Sequence, residues 1–268
     1  MANLDLRSII ITGALTDIIC AAVIIALWRQ NRDRFAGLGH WSVNFVFQGA
    51  ALALIVMRGS IPDWMSMTLA NALILSGAVI GLVGLELFTG QKGPQAHNVL
   101  LVVLAVALHA YFTFVRPAFP MRVFVMTAAL FVVCIQCMWL LLRRVAAPLR
   151  RQARWPGIIF AVYSLVFAAG AARHLIRPPA GIDYFQSGEA EAVPLITILM
   201  LFILMTHSLA LTVSGRLHRD LMTQEQKFSK AFHSSPSAIL ITRLSDNRVF
   251  EVNDSFLRIT GYPLHEVL

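Results

Sequence analysis

The stretch that decides the fold is VPLITILMLFILMTHSLALTV, residues 193–213, which continues without a break into SGRLHRD, residues 214–220. An apolar run of this length is enough for one helix across a hydrocarbon core of about 30 Å. The charged residues that follow mark the point where the helix leaves the apolar phase. The sequence therefore predicts a membrane-spanning helix joined directly to a polar segment.

Six further apolar stretches precede this one. Hydrophobic residues make up 57% of the chain and charged residues 13%, a balance typical of membrane proteins. Backbone groups in a bilayer core must pair within their own segment, so spans of this length are predicted to be helices. The predicted spans are residues 9–28, 41–57, 64–88, 99–115, 123–142, 155–176 and 193–215. The predicted fold is mainly α: a seven-transmembrane-helix bundle over residues 1–215, followed by a partial α/β domain.

The placement of basic residues predicts the orientation, because Lys and Arg near span ends are retained in the cytoplasm. With the N-terminus outside, the cytoplasmic loops hold eleven Lys and Arg residues and the outer loops six. The longest outer loop also holds Asp183, Glu189 and Glu191. We therefore predict a multi-pass inner-membrane protein with its C-terminus in the cytoplasm. This placement explains the net charge of +8, so the lipid bilayer is the expected partner and nucleic acid is not.

Ionisable side chains at membrane depth are costly and usually face the interior of a helix bundle. Asp17 lies eight residues past the start of the first span, about 12 Å deep at the helical rise. Asn71, His109, Arg173 and His174 are predicted to reach the same outer half of the bundle. These residues are candidates for one pocket that binds a small molecule. The alternative is a network of hydrogen bonds between helices that only fixes their packing.

A second set of polar residues lies on the second span. His40, Asn44 and Gln48 repeat every four residues and share one helix face, which we predict to point inward. His207 on the seventh span is predicted to meet them. An alternative function is haem binding by His109 and His174 at similar depth, as in a redox membrane protein, but the sequence assigns no metal site.

Residues 216–230 are polar and helix-forming, and we interpret them as a linker helix. An apolar seam with the spacing 4, 3, 4 and 3 runs along it, which is typical of a coiled coil. The seam consists of Leu217, Leu221, Gln224, Phe228 and Ala231. It predicts a parallel contact between two protomers of a homodimer. The alternative is an amphipathic helix that docks on the following domain.

The tail that follows reads as a hairpin and a short helix. Apolar residues 238–243 predict one strand, Asp246 and Asn247 a tight turn, and residues 248–252 the returning strand. Asn253 stands where a helix N-cap is expected. Phe256 and Ile259 are predicted on the apolar side of that helix, and Gly261 is predicted to end it.

These motifs, in this order, resemble the opening of a PAS domain, in the form common in bacterial sensor histidine kinases and GGDEF-type diguanylate cyclases. The resemblance covers residues 231–268 and rests on these residues: Ser235, Pro236, Asp246, Asn247, Val252, Asn253, Asp254, Phe256, Thr260, Gly261 and Tyr262. It implies a five-stranded antiparallel sheet, of which the chain holds the first two strands. It also implies a signal-transduction receptor that detects a small or membrane-borne signal, with an output domain after Leu268.

The resemblance leaves the output open between two enzymes. A histidine kinase of a two-component system is the first expectation and a GGDEF diguanylate cyclase the second. The positions that contact a ligand in PAS domains mostly lie beyond these residues, so the cofactor stays unknown.

Overall fold

The computed structural model describes residues 6–176 and 189–267. The chain divides into two compact units, and the boundary in the sequence falls between Thr212 and Val213. Residues 177–188, which include the predicted outer-loop Asp183, lie outside the described part of the chain.

Within the described residues, seven helices are long and apolar enough to cross a membrane. They are α1 Leu6–Asn31, α2 Leu38–Val56, α3 Ala70–Thr89, α4 Ala96–Ala110, α5 Phe119–Trp139, α6 Ala147–Ile176 and α7 Glu189–Ser234. Short π-helical segments precede α3 (Trp64–Leu69) and extend α4 (Tyr111–Val115) and α5 (Leu140–Arg144). The prediction of seven apolar helices is confirmed, and it fits a multi-pass membrane protein. Large apolar side chains on the bundle surface, such as Leu15 and Ile19 of α1, are more than half exposed, as lipid-facing residues are.

Close packing of α3 against α2 depends on small residues. In α3, Gly77, Gly81 and Gly84 lie on the side that faces α2. A Cβ atom at Gly84 would lie 2.6 Å from Cδ1 of Trp41, and one at Gly81 would lie 2.9 Å from Nδ2 of Asn44. Both distances are shorter than any ordinary carbon contact, so only glycine lets the two backbones approach this closely.

The second unit contains a two-stranded antiparallel sheet. Strand β1 (Leu240–Thr242) pairs with β2 (Val249–Val252), with Leu240 opposite Val252. Asn247 in the connecting turn has a φ of 54°, a left-handed conformation that asparagine tolerates better than most residues. Helices α8 (Asp254–Thr260) and α9 (Leu264–Val267) follow. The predicted hairpin and short helix are therefore present, with strands shorter than the sequence pattern indicated.

Asn253 joins the hairpin to the end of α7 and to α8, and it is fully buried. Its Oδ1 accepts hydrogen bonds from the backbone N–H groups of Ile239 and Phe256, both at 2.9 Å. Its Nδ2 donates to the carbonyl oxygens of Phe232 at 3.0 Å and Ser237 at 2.9 Å. One amide side chain thus makes four hydrogen bonds to backbone groups of the hairpin, the end of α7 and α8.

One prediction about α8 is wrong. Ile259 was expected on the buried side of the helix beside Phe256, but it is 67% exposed. The buried residue of α8 is instead Ser255, whose hydroxyl donates to the carbonyl oxygen of Ser235. A polar bond to the preceding loop, rather than the apolar stripe, therefore sets how this short helix is rotated.

Candidate functional site

The first unit encloses a cavity of about 370 Å³, to which all seven helices contribute. Its size falls within the range of about 300–1,000 Å³ of small-molecule sites. Most of its lining is aliphatic or aromatic, including Leu52 and Ile55 of α2, Phe167 of α6 and Leu199 of α7. A small number of polar side chains interrupt this surface, which is the usual composition of a binding pocket for an apolar small molecule.

The polar lining includes seven of the nine residues that the sequence analysis proposed for the bundle. They are Asp17, Asn44, Gln48, Asn71, His109, Arg173 and His174. All seven line one cavity, whereas the sequence analysis placed Asn44 and Gln48 in a second set on α2. The geometry alone assigns them no role.

His40 and His207 do not reach the cavity, and the predictions that they point inward are wrong. Both side chains are exposed. A step of four residues turns a helix by about 40° beyond one full turn, so His40 lies about 80° around α2 from Gln48. On α7 the residues on both sides of His207 are buried, namely Met205, Thr206, Ser208 and Leu209, whereas His207 itself is exposed.

The amide side chains of α2 and α3 are already paired within the bundle. Gln48 Nε2 donates to Asn44 Oδ1 at 3.2 Å and to the carbonyl oxygen of Ile74 at 3.1 Å. Asn71 Nδ2 donates to the carbonyl oxygen of Met67 at 2.7 Å. Of these three bonds, the one from Gln48 to Ile74 joins two helices and the other two are local to one helix. The same amides line the cavity.

Asp17 stands apart from that network. The side chain is 3% exposed, and no described residue donates a hydrogen bond to its Oδ1. It lies against α2, where a Cβ atom at Gly49 would be 3.9 Å from the Asp17 Cβ. The hydroxyl of Tyr163, a residue that lines the same cavity, donates to the carbonyl oxygen of Ile198 at 3.2 Å. A buried carboxyl oxygen without a donor in an apolar cavity is costly, which makes Oδ1 of Asp17 a candidate contact for a ligand.

One end of the cavity is charged. Neighbouring helices run in opposite directions, so the C-terminal ends of α2, α4 and α6 meet the N-terminal ends of α5 and α7. This charged end consists of Arg58, His109, Arg122, Arg173, His174 and Glu191, all of which line the cavity. Among the described residues that line this end, five are basic and one is a carboxylate.

Glu191 contacts two of the basic groups. Its Oε1 lies 2.8 Å from Nη2 of Arg173 and 3.2 Å from Nε2 of His174. The other ring nitrogen of His174, Nδ1, lies 2.7 Å from the carbonyl oxygen of Gly170. The Nε2 atom of His174 thus faces the Glu191 carboxylate but has no hydrogen-bond partner among the described residues.

The remaining basic groups form the other part of the charged end. Arg58 and Arg122 line the cavity together with His109. Arg122 also contacts Sδ of Met67 at 3.3 Å. His109 is 5% exposed, and its Nδ1 has no hydrogen-bond partner among the described residues. This part of the site thus combines two guanidinium groups with a buried imidazole.

Sequence reasoning missed Arg58, Arg122 and Glu191 as lining residues. It treated all three as loop charges that determine orientation. Their positions in the sequence could have indicated this role. Each lies within a few residues of a span end on the same predicted side of the membrane, which is the side where the charged end of the cavity is found.

The proposed PAS motif residues lie in the second unit. Asn253 caps α8 through its bond to the Phe256 amide, and Gly261 ends the helix with a φ of 76°, both as predicted. Asp246 stabilises the hairpin turn by accepting a hydrogen bond from the backbone N–H of Arg248 at 3.2 Å. Pro236 and Tyr262 are exposed. These residues shape the backbone of the unit, and they form no pocket with one another in the described structure.

Residues 226–268 match a family model described as PAS domain. No curated protein and no solved structure matches the chain significantly. The predicted resemblance to a PAS domain is confirmed for the tail, and the match begins five residues earlier than expected, inside α7. We refer to residues 226–268 as the PAS-like segment.

Proposed function

We propose that the protein is a membrane receptor that detects a small or membrane-borne signal in the bundle cavity and passes it to the PAS-like segment. The observation that supports this most strongly is the extent of α7. This one helix contributes Leu195, Leu199 and Met205 to the cavity lining and runs on to Ser234, inside the PAS match. A ligand that binds differently to two states of the bundle can shift the equilibrium between them.

The proposed orientation has the N-terminus outside and the C-terminus in the cytoplasm, in a bacterial inner membrane. The distribution of Lys and Arg supports it, since five arginines lie between residues 143 and 154 on the predicted inner side. In this orientation the charged end of the cavity faces outward and the PAS-like segment lies in the cytoplasm. Reporter fusions at Arg150 and Lys230 are expected to report the cytoplasm at both positions.

We further propose a homodimer in which the linker helices of two protomers pair. Along α7, Leu221 and Phe228 are 51% and 56% exposed, and Leu217 is partly exposed. An exposed apolar seam at heptad spacing gains stability when an identical seam covers it.

The proposed output is a catalytic domain after the PAS-like segment. A histidine kinase is the first proposal because this form of PAS segment is common in sensor kinases. A GGDEF diguanylate cyclase is the second. Phosphorylation of the full-length protein from ATP, or formation of a cyclic dinucleotide from GTP, distinguishes the two.

Insertions into the linker of the full-length receptor test whether α7 transmits the signal. One alanine inserted between residues 220 and 225 rotates everything beyond it by about 100°, whereas seven added residues leave the register within about 20° of two full turns. We expect the single insertion to fix the output at one level and the seven-residue insertion to restore its response. An output that responds equally in both variants would show that the helix carries no rotational signal.

A further inference from the structure

We infer that the bundle cavity binds a neutral apolar molecule with a hydroxyl group, and that this hydroxyl donates a hydrogen bond to Oδ1 of Asp17. The inference rests on the proposed function, because it names the chemical class of the signal. Three features of the cavity support it: an unsatisfied acceptor on Asp17, the apolar packing around that residue, and the lining of the remaining space.

Asp17 presents an acceptor that the described part of the bundle does not satisfy. Its side chain is 3% exposed and lines the cavity, and no described residue donates a hydrogen bond to Oδ1. The hydroxyl of Thr16, the preceding residue, donates to the carbonyl oxygen of Thr12 at 2.9 Å. The hydroxyl of Tyr163 donates to the carbonyl oxygen of Ile198. Because a buried oxygen that lacks a donor is costly, a molecule in the cavity that supplies one donor gains free energy at this point.

The helices beside Asp17 pack against α1 through apolar contacts. One turn before it, a Cβ atom at Gly13 would lie 2.8 Å from Cδ2 of Leu199 on α7. On the α2 side, a Cβ atom at Gly49 would lie 3.9 Å from the Asp17 Cβ. An ammonium group brings three N–H donors, and the leucine and glycine at these contacts offer no side-chain acceptor for the donors left over. A hydroxyl brings a single donor, so it matches one unsatisfied acceptor.

Much of the remaining lining is suited to an apolar body. Phe45 and Phe202, whose ring centroids are 4.6 Å apart, line the cavity together with Leu52 and Leu130. The cavity volume is about 370 Å³, and since an apolar cavity of about 150 Å³ holds benzene, there is room for a chain of about eight carbons. Lipid tails are as apolar as this lining, so apolar contacts alone do not favour the cavity over the bilayer. The hydroxyl bond to Asp17 is therefore expected to determine which apolar molecules bind.

Binding of two isomers to the full-length protein in phosphatidylcholine nanodiscs tests the inference. Octanol carries a hydroxyl group, whereas heptyl methyl ether has the same atoms but can only accept hydrogen bonds. Isothermal titration gives the dissociation constant of each, and empty nanodiscs measure the partition into lipid. After correction for that partition, we expect octanol to bind at least about tenfold more tightly than the ether, because pairing a buried acceptor has an effect of this size. Equal affinities, no binding of octanol, or tighter binding of octylamine than of octanol would overturn the inference.

Matched variants show whether Asp17 is the acceptor. Asp17→Leu replaces the carboxyl group by an apolar side chain of similar size, and we expect octanol and the ether to bind this variant with equal affinity. Thr16→Val is the control, because it removes the hydroxyl of an adjacent residue that bonds within α1 and does not line the cavity. It should keep the preference for octanol. A preference that persists in Asp17→Leu would contradict the inference. If that variant does not fold, the comparison of the two isomers in the unmodified protein decides.

The output of the full-length protein separates this inference from the proposed function. If octanol binds with the expected preference but leaves the output unchanged, the receptor function is refuted and the ligand class stands. If the output responds to other signals while octanol does not bind, the ligand class is refuted and the receptor function stands. A change of output on octanol binding that is lost in Asp17→Leu supports both.

Discussion

Replacing Asn253 by alanine is expected to loosen the PAS-like segment more than any other single truncation of a polar side chain there. The side chain is fully buried and makes four hydrogen bonds to backbone groups. Each such bond contributes about 1 kcal/mol net, and a buried partner left unpaired costs about 1–3 kcal/mol. The Phe256 amide keeps a second acceptor, the backbone oxygen of residue 253 at 3.1 Å. We therefore expect a loss of about 3 kcal/mol rather than the full sum.

Hydrogen exchange of the full chain measures this loss directly. A decrease of about 3 kcal/mol in local opening free energy corresponds to exchange roughly a hundred times faster at the affected amides. The Ile239 amide, whose described acceptor is Asn253 Oδ1, should show the largest change. Asn247→Gly serves as the control, because it removes an exposed asparagine and relieves a positive φ, and it should change exchange little. Acceleration below about tenfold at Ile239 would refute the assignment of Asn253 as the link between these elements.

Three further predictions concern the bundle. Gly84→Ala places a Cβ atom 2.6 Å from Trp41 and should lower the free energy of unfolding by about 1–3 kcal/mol. The control is Gly170→Ala, whose nearest contact would be at 3.7 Å and which should be neutral or stabilising. Equal effects of the two variants would argue against close packing at Gly84. Glu191→Gln removes the buried carboxylate that contacts Arg173 and His174. It should destabilise the bundle by about 3 kcal/mol, so an unchanged melting temperature would contradict the ion pair with Arg173. Asp17→Asn should shift the dose response of the output without reducing membrane insertion, and an unchanged dose response would mean that the carboxyl group serves packing only.

The bundle could be predicted from sequence because its main signal is local. An apolar run of about twenty residues specifies a span whatever its neighbours are, and the Asn253 cap needs only residues nearby in the chain. The inward-facing residues were predicted less well, for a geometric reason. A four-residue spacing looks like one face over two turns, but it drifts far enough to place His40 outside the cavity. The prediction for His207 was wrong because no sequence pattern indicated which side of α7 the neighbouring helices would cover.

The charged end could not be predicted, because it depends on which helices are neighbours. Arg58, Arg122 and Glu191 come from the ends of three different helices. Nothing in a single sequence says that α2, α5 and α7 surround one space. Basic residues at span ends are also explained by the retention of positive charge in loops. From the sequence alone, that explanation was sufficient for Arg58 and Arg122.

Asp17 determines how much free energy a ligand could supply to shift the proposed receptor between two states. A buried polar atom without a partner costs about 1–3 kcal/mol, so the empty bundle carries that cost wherever Asp17 Oδ1 stays dry. A ligand hydroxyl that pairs with it recovers the cost only in the state where the cavity holds this shape. A difference of about 1–3 kcal/mol between two states shifts their ratio roughly 5- to 150-fold. The free energy of this one contact is therefore large enough to change a signalling output. Asp17→Asn replaces the carboxyl group by an amide, which can donate as well as accept hydrogen bonds. This variant should therefore reduce the ligand's preference for that state.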